Sequence, residues 1–283
     1  MSYEVKDRVI VITGATGGLG RAAAEALRNK GAKLALLDLD KTAVETMAAD
    51  FGDSELVAGW AADVRSMQSL QTAMDAIATH FGGIDVVIAG AGVGFSSSFE
   101  GTDPNDFDRI IDINLNGVWR TFRTALPYVK KRRGYLLAVS SMAAFIHSPL
   151  NAHYSASKAG VWAVCNSIRL ELKHLGVDVG SLHPTFFPTP MLDDVLDDPL
   201  STLVWNNHKG IWKQVTLEEV VDALVGCVEC RREIVTVPSR NQIVANSPGF
   251  ARKLVEKIGF DDERVVQAIK LSDRLKDNQN SSR

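Results

Sequence analysis

Three cysteines in 283 residues are too few, and odd in number, for a disulfide framework. A cross-linked secreted scaffold is therefore excluded, and a reducing, cytoplasmic setting is expected. Charge of either sign is not in excess: the net charge is −3, which gives no basis for nucleic-acid binding through phosphate neutralisation. No run approaches the roughly 20 apolar residues that span a bilayer, so no integral membrane segment is expected. The opening MSYEVKDR is polar and leads straight into a strand-like run, unlike a secretory signal. Repeats, low-complexity stretches and Pro/Gly-rich linkers are also missing. What remains is an ordinary globular composition, 46% hydrophobic and 23% charged, sufficient for one sizeable core.

Two local features invite functional readings and have plainer ones. Cys227 and Cys230 form a C-x-x-C. Zinc needs four ligands and there is no second cysteine pair, so both read as small buried hydrophobes on an amphipathic helix. The basic run at residues 130–133 precedes Gly134 and reads as a solvated helix end complementing the helix dipole.

Apolar runs alternate with helical patterns from the start. RVIVITG, KLALLDLD, ELVAGWAADV, GIDVVIAGAG, GYLLAVSS, VDVGSLHP and EIVTVP read as strands, β-branched and nearly continuous in apolar residues. Between them lie helical patterns, including a long one from PNDF through VKKRRG and one beginning HYSASKAG. Strict alternation predicts a parallel sheet buried on both faces. The expected architecture is a single doubly wound α/β (Rossmann) domain of about seven strands over residues 1–245. From about residue 246 charged amphipathic helices take over, with Val265, Ile269 and Ser272 or Leu275 near one face. The final NQNSSR reads as disordered. This extension, 246–283, could cover the pocket, pack on another subunit or touch a membrane surface; packing on the protein itself is the plainest expectation.

TGATGGLG at residues 13–20 follows the first strand and opens the first helix. Gly14, Gly18 and Gly20, together with Thr16 and Leu19 in the same loop, let the backbone approach a pyrophosphate at a helix N-terminus. The spacing is G-x-x-x-G-x-G rather than G-x-G-x-x-G. Asp38 ends the second strand, 18 residues after Gly20, and Leu39 follows it. A carboxylate there accepts from adenosine ribose hydroxyls and repels a 2′-phosphate. With no cation in the loop, NAD is expected over NADP. The plainer reading is that Asp38 begins the next turn or caps a helix, a task Asp40 is equally placed to perform.

These motifs, with Asp63-Val64, Asn114 in DINLNG, VSS ending at Ser141, YSASK at 154–158 and HPTFFPT ending at Thr189, occur in an order that resembles the short-chain dehydrogenase/reductase family. The resemblance covers roughly residues 5–240. It implies an NAD(P)-dependent oxidoreductase acting on CH–OH groups, with Asn114, Ser141, Tyr154 and Lys158 as a catalytic tetrad. It also implies that Asp63 holds the adenine, Val64 lines its pocket, and Ala91 and Gly92 pass beneath the adenosine. Pro184, Phe187 and Thr189 would hold the nicotinamide end. Two departures stand out: Ala89-Gly90-Ala91-Gly92 replaces the usual N-N-A-G, and Pro184-Thr185 replaces the usual P-G. Family members commonly form homodimers or homotetramers through the helix carrying Tyr154 and the helix near 216–230. Trp162 is a candidate for that interface or for ordinary core.

The chemistry fits the residue types. The cofactor carries the hydride and the protein handles the proton. An unperturbed tyrosine, with a pKa near 10, is a poor base at neutral pH, and a lysine cation nearby lowers that value. Positions i and i+4 share one helix face, so Lys158 reaches the space beside Tyr154. Ser141, at a strand end, is placed to steady a developing alkoxide; the family spacing selects it over Ser140. Asn114 is expected to open a carbonyl in a kinked helix and hold a water. His147 and His153 read as loop or surface residues, and His183 as a strand-end residue.

For the substrate, the segment at about 186–215 is expected to close over the site. Phe95, Met142, Ala143, Phe186, Met191, Leu192 and Val195 are the candidate lining, with Ser141 on the reacting oxygen. No cation lies between Met191 and Asn207, so a small hydrophobic secondary alcohol or ketone, of steroid, terpenoid or retinoid type, is expected rather than a phosphorylated or carboxylated one. The plainer reading is that the same residues are core under a flexible lid. The alternatives are a non-catalytic NAD-binding or scaffold protein, and an epimerase or dehydratase of the same fold superfamily. The glycine spacing and the short C-terminal region argue against the latter.

Overall fold

A computed structural model describes residues 3–188, 199–247, 249 and 252–281. Seven strands form one parallel sheet in the order β3-β2-β1-β4-β5-β6-β7. They are β1 (Val9–Thr13), β2 (Lys33–Asp38), β3 (Val57–Ala61), β4 (Val86–Ala89), β5 (Tyr135–Val139), β6 (Asp178–Pro184) and β7 (Ile234–Val237). Every residue of β1 and β4 is buried, as the unbroken apolar runs predict for strands covered on both faces. α1 (Gly18–Asn29), α2 (Lys41–Phe51) and α8 (Leu217–Cys230) contribute Leu27, Val44 and Leu224 to the core on one face. α3 (Met67–Phe81), α5 (Gly117–Arg132) and α6 (Ala152–Leu172) contribute Leu70, Phe122 and Val161 on the other.

The order reverses between β1 and β4, which pair in register from Ile10↔Val86 to Thr13↔Ala89. The carboxyl ends at such a reversal are where open α/β sheets bind ligands.

Four expectations need correction. The long helix from PNDF to KKRR is interrupted: α4 (Pro104–Ile111) passes through a π-helical turn at Asp112–Asn116 before α5. Such turns insert an extra residue per turn, which periodicity does not register. Cys227 is buried but Cys230 is exposed, because Cys230 closes the last turn of α8 beside a left-handed Arg231.

Beyond the sheet lie α7 (Pro199–Val204), α9 (Gln242–Asn246), α10 (Arg252–Gly259) and α11 (Asp262–Ser281). On α11 the buried residues are Ala268 and Ser272, whereas Ile269 and Leu275 are exposed. The packed face is thus rotated from the one expected, because α11 meets α7 through its small residue Ala268, in a cluster with Leu200 and Val204. The helix also continues through 278–281. No glycine or proline stands there to stop it, and extending a formed helix costs little compared with starting one.

Candidate active site

The glycine loop owes its shape to close backbone approaches. Gly14 has φ +69°, and a Cβ there would lie 2.8 Å from Ala91 Cα. A Cβ on Gly20 would lie 2.2 Å from the Gly14 carbonyl. The loops after β1 and β4 therefore touch. α1 begins behind Gly17 without any side-chain cap, leaving its first-turn N–H groups for an anion.

Asp38 faces this loop. Its Oδ2 accepts from Thr16 N at 3.0 Å and Thr16 Oγ1 at 2.7 Å, and its Oδ1 accepts from Leu39 N at 2.7 Å. Asp40, not Asp38, caps α2 by accepting from Ala43 N at 3.0 Å. Asp63 is held by Arg65 in a two-pronged pair, with Nη2 2.7 Å from Oδ2. The hydrogen bond from Arg65 keeps the Asp63 carboxyl below the usual range.

The turn after β4 lacks the usual asparagines and is braced from elsewhere. Thr13 Oγ1 accepts from Gly90 N at 3.1 Å and Ala91 N at 3.3 Å. Asn114, fully buried in the π-helical turn, grips the next residue with both ends of its amide. Its Oδ1 accepts from Val93 N and its Nδ2 donates to Val93 O, both at 2.9 Å; Nδ2 also reaches Ser157 Oγ at 3.2 Å.

The expected catalytic groups meet beside this turn. Ser140 and Ser141 both border the cleft, but the Ser140 hydroxyl is engaged, donating to the Lys158 carbonyl at 3.0 Å. Ser141 Oγ accepts from Ala143 N at 3.1 Å and lies in hydrogen-bonding reach of the Tyr154 hydroxyl. Lys158 is 5% exposed; its Nζ donates to Val139 O at 3.1 Å and stands 5.5 Å from the Tyr154 ring centre. Burial pushes the Lys158 ammonium down to about 8. Burial likewise raises the Tyr154 phenol above its ordinary 10.0, opposed by the Ser141 hydrogen bond. The expected lowering of Tyr154 by lysine is not among the influences on the phenol, whose direction burial sets.

His183 is fully buried between Ser141 O and Ser181 Oγ, and burial pushes it down to about 4, as suits a neutral strand-end residue. His147 is exposed. His153 corrects the surface expectation: it is buried, stacked on Phe95 at 4.2 Å, with Nε2 2.9 Å from Phe95 O. Its position in the first turn of α6, one residue before Tyr154, turns it under the loop after β4. Trp162 packs edge-on against Phe145 at 5.4 Å, on a cluster with Met142.

One cleft of about 810 Å³ joins these parts. The glycine loop, Asp38, Leu39, Asp63, Val64, Ala91, Gly92, Pro184 and Phe187 line it, as do Phe95, Ser141, Met142, Ala143, Tyr154, Lys158 and Phe186. Asn114 sits behind the wall rather than in it. Thr189, Met191, Leu192 and Val195 lie outside the described residues. Sequence reasoning missed Arg109, Ile113, Ser148, Asn151, Trp205, Ile211, Trp212, Asn241, Val244 and Ile258, which also line the cleft. Ile113 alone had a signal, its place beside Asn114. Among the described residues no cluster of potential metal ligands occurs, and no helix is long and apolar enough to cross a membrane.

A parallel sheet whose order reverses at β1 and β4, with a glycine-lined crevice at the reversal, defines a dinucleotide-binding α/β protein. Known proteins narrow this. The short chain dehydrogenase family matches residues 8–199. (−)-trans-Carveol dehydrogenase of Rhodococcus erythropolis is 35% identical over 210 residues, covering 67% of this chain and 74% of its own. D-beta-hydroxybutyrate dehydrogenase of Rhizobium meliloti is 30% identical over 220 residues, covering 76% and 82%. Among solved structures, the 3-ketoacyl-(acyl-carrier-protein) reductase of Brucella melitensis complexed with NADH superposes with a TM-score of 0.74 at 25% identity, over 82% of this chain and 97% of its own. This chain belongs to the short-chain dehydrogenase/reductase family of oxidoreductases.

Proposed function

We propose that this protein is an NAD-dependent oxidoreductase that interconverts a hydrophobic secondary alcohol and its ketone. The observation carrying this reading is the convergence of Ser141, Tyr154 and Lys158 on one cleft with the glycine loop and Asp38. The chain fits the cofactor: side chains at Gly14 and Gly20 would fill the space where the loops close, and Asp38 supplies the acceptor a ribose requires. Gly18 and Leu19 at the opening of the helix would hold the pyrophosphate, Val64 and Ala91 the adenosine, and Pro184 and Phe187 the nicotinamide end, all of them lining the cleft. A bound nicotinamide supplies the hydride acceptor or donor.

The chain's own residues handle the proton. Tyr154 gives it to, or takes it from, the substrate oxygen. Ser141 donates to the same oxygen and stabilises its developing charge. Lys158, in its ammonium form, stabilises the phenolate that Tyr154 leaves behind. Asn114 holds the Val93 backbone in place opposite them, and its carbonyl in the π-helical turn would hold a water that relays a proton to Lys158. Phe95, Met142, Ala143 and Phe186 present an apolar surface to the substrate, in keeping with the small cyclic alcohol in the name of the Rhodococcus relative. Exposed Leu170 on α6, the helix carrying Tyr154, supports a homodimer or homotetramer formed through that helix.

Tyr154→Phe tests the assignment. Turnover of any accepted alcohol should fall between about 10² and 10⁴-fold, the range for loss of a general acid/base, while NADH affinity stays within about twofold. Turnover that survives the substitution would remove Tyr154 from its role.

A further inference from the structure

The family match ends at residue 199, yet one side of the cleft is built from residues beyond it. Trp205, Ile211 and Trp212 reach it from the segment after α7, Val244 from α9 and Ile258 from α10. Two of these are large aliphatic side chains left in water: Ile211 is 49% exposed and Ile258 is 61% exposed. Both look into a cleft whose inner wall already carries Phe95, Met142 and Phe186.

α10 is fixed there rather than loosely adjacent. Trp212 Nε1 donates to the Gly259 carbonyl at 2.9 Å in a buried hydrogen bond. The Trp212 ring packs on Phe260 with centres 5.1 Å apart. A Cβ on Gly259 would lie 2.8 Å from Trp212 Cζ2 and 3.0 Å from Ile211 Cδ1, so glycine is what allows this approach. α11 then ties the extension to the opposite side of the site. Ser98, in the loop that carries Phe95, donates its N–H to Ser272 Oγ at 3.1 Å and its hydroxyl to Asp273 Oδ1 at 2.5 Å. Arg264 Nη1 donates to Asn206 Oδ1 at 2.5 Å. The extension therefore joins both banks of the substrate end.

We propose that the C-terminal helices form the outer wall of the substrate site, and that Ile258, seconded by Ile211, is a specificity-determining residue. They meet the part of the substrate remote from the reacting carbon, and so favour extended apolar ketones and alcohols, of the size of two fused rings, over compact ones. The substrate class rests on the reaction proposed above; the wall does not. Nothing in the family's catalytic motifs requires it, since the motif residues are complete without α10 and α11.

The test compares wild type, Ile258→Asp and Ile258→Leu on 2-decalone and cyclohexanone with NADH. Ile258 is largely exposed, so neither change disturbs the core. Ile258→Asp should raise KM for 2-decalone about tenfold or more, the scale on which apolar pockets discriminate lost contacts. KM for cyclohexanone and kcat for both should stay within about twofold, and Ile258→Leu should match wild type. Equal shifts for both ketones, or none, would overturn the proposal. A second arm is independent of turnover: binding of 8-anilinonaphthalene-1-sulfonate in the presence of saturating NAD. If wild type reduces neither ketone, the reaction assignment fails. An approximately tenfold weaker dye affinity in Ile258→Asp still supports the wall, whereas unchanged affinity, or no saturable binding to wild type, overturns it.

Discussion

The hydroxyl of Thr13, the last residue of β1, accepts the backbone N–H of Gly90 at 3.1 Å across the switch point of the sheet. It accepts Ala91 N as well, at 3.3 Å. One side chain thereby closes the turn that passes beneath the expected adenosine. This chain has exchanged the asparagines usual in its family for Ala89 and Gly90, and the bracing comes from the neighbouring strand and from Asn114.

That relationship makes a prediction about stability. Thr13 is 1% exposed, so Thr13→Val preserves shape while leaving two partly buried amides without their acceptor. Each unsatisfied group costs about 1–3 kcal/mol. Fully buried, the two would cost about 2–6 kcal/mol; partly buried, they should cost about 2–4 kcal/mol in urea unfolding, with NADH affinity weakened in parallel. Thr13→Ser, which keeps the oxygen, should recover most of both. A variant Thr13→Val as stable as wild type would show that the two contacts contribute nothing.

Much of this arrangement was legible in the sequence, and the reasons are physical. RVIVITG and GIDVVIAGAG read as strands because burial on both faces demands unbroken apolar runs. Tyr154 and Lys158 read as a pair because the helical period sets their spacing. Asp40 was an open candidate for the α2 cap, and the structure gives it that task. The parts that stayed hidden depend on tertiary placement. His153 has no pattern that foretells burial; it is buried because the loop after β4 folds over the start of α6. The π-helical turn is a one-residue insertion inside a helical pattern. Ile211 and Ile258 are isolated aliphatics in charged segments, and only the Trp212–Gly259 contact brings them to the cleft.

Cofactor choice turns on Asp38 and its neighbour. Oδ1 of Asp38 accepts only one described hydrogen bond, from Leu39 N, and a carboxylate oxygen has room for a second. A ribose hydroxyl can take that place, whereas a 2′-phosphate would meet the carboxylate's charge. Leu39 is 64% exposed and tolerates replacement. Fluorescence titration of wild type should therefore give a Kd for NADH at least about tenfold below that for NADPH, a difference of about 1.4 kcal/mol. Asp38→Ser combined with Leu39→Arg should invert the order, since arginine pairs with phosphate in two-pronged fashion. Equal affinities in wild type would discard the preference for NAD.

The pH dependence of ketone reduction should report Lys158. Burial pushes its ammonium down to about 8, so the free protein holds the cation below that pH and loses it above. The cation stabilises the phenolate that forms when Tyr154 gives up its proton, so its loss slows reduction. Tyr154 itself, raised above 10.0 by burial, keeps its proton throughout this range and does not supply the limb. Since kcat/KM reflects groups on the free enzyme, it should be level below about pH 7 and fall toward a tenfold loss per pH unit well above 8. Lys158→Arg retains its charge at every accessible pH. Whatever activity that variant keeps should lack the falling limb up to about pH 9.5, and a limb at the wild-type position would assign the titration to some other group.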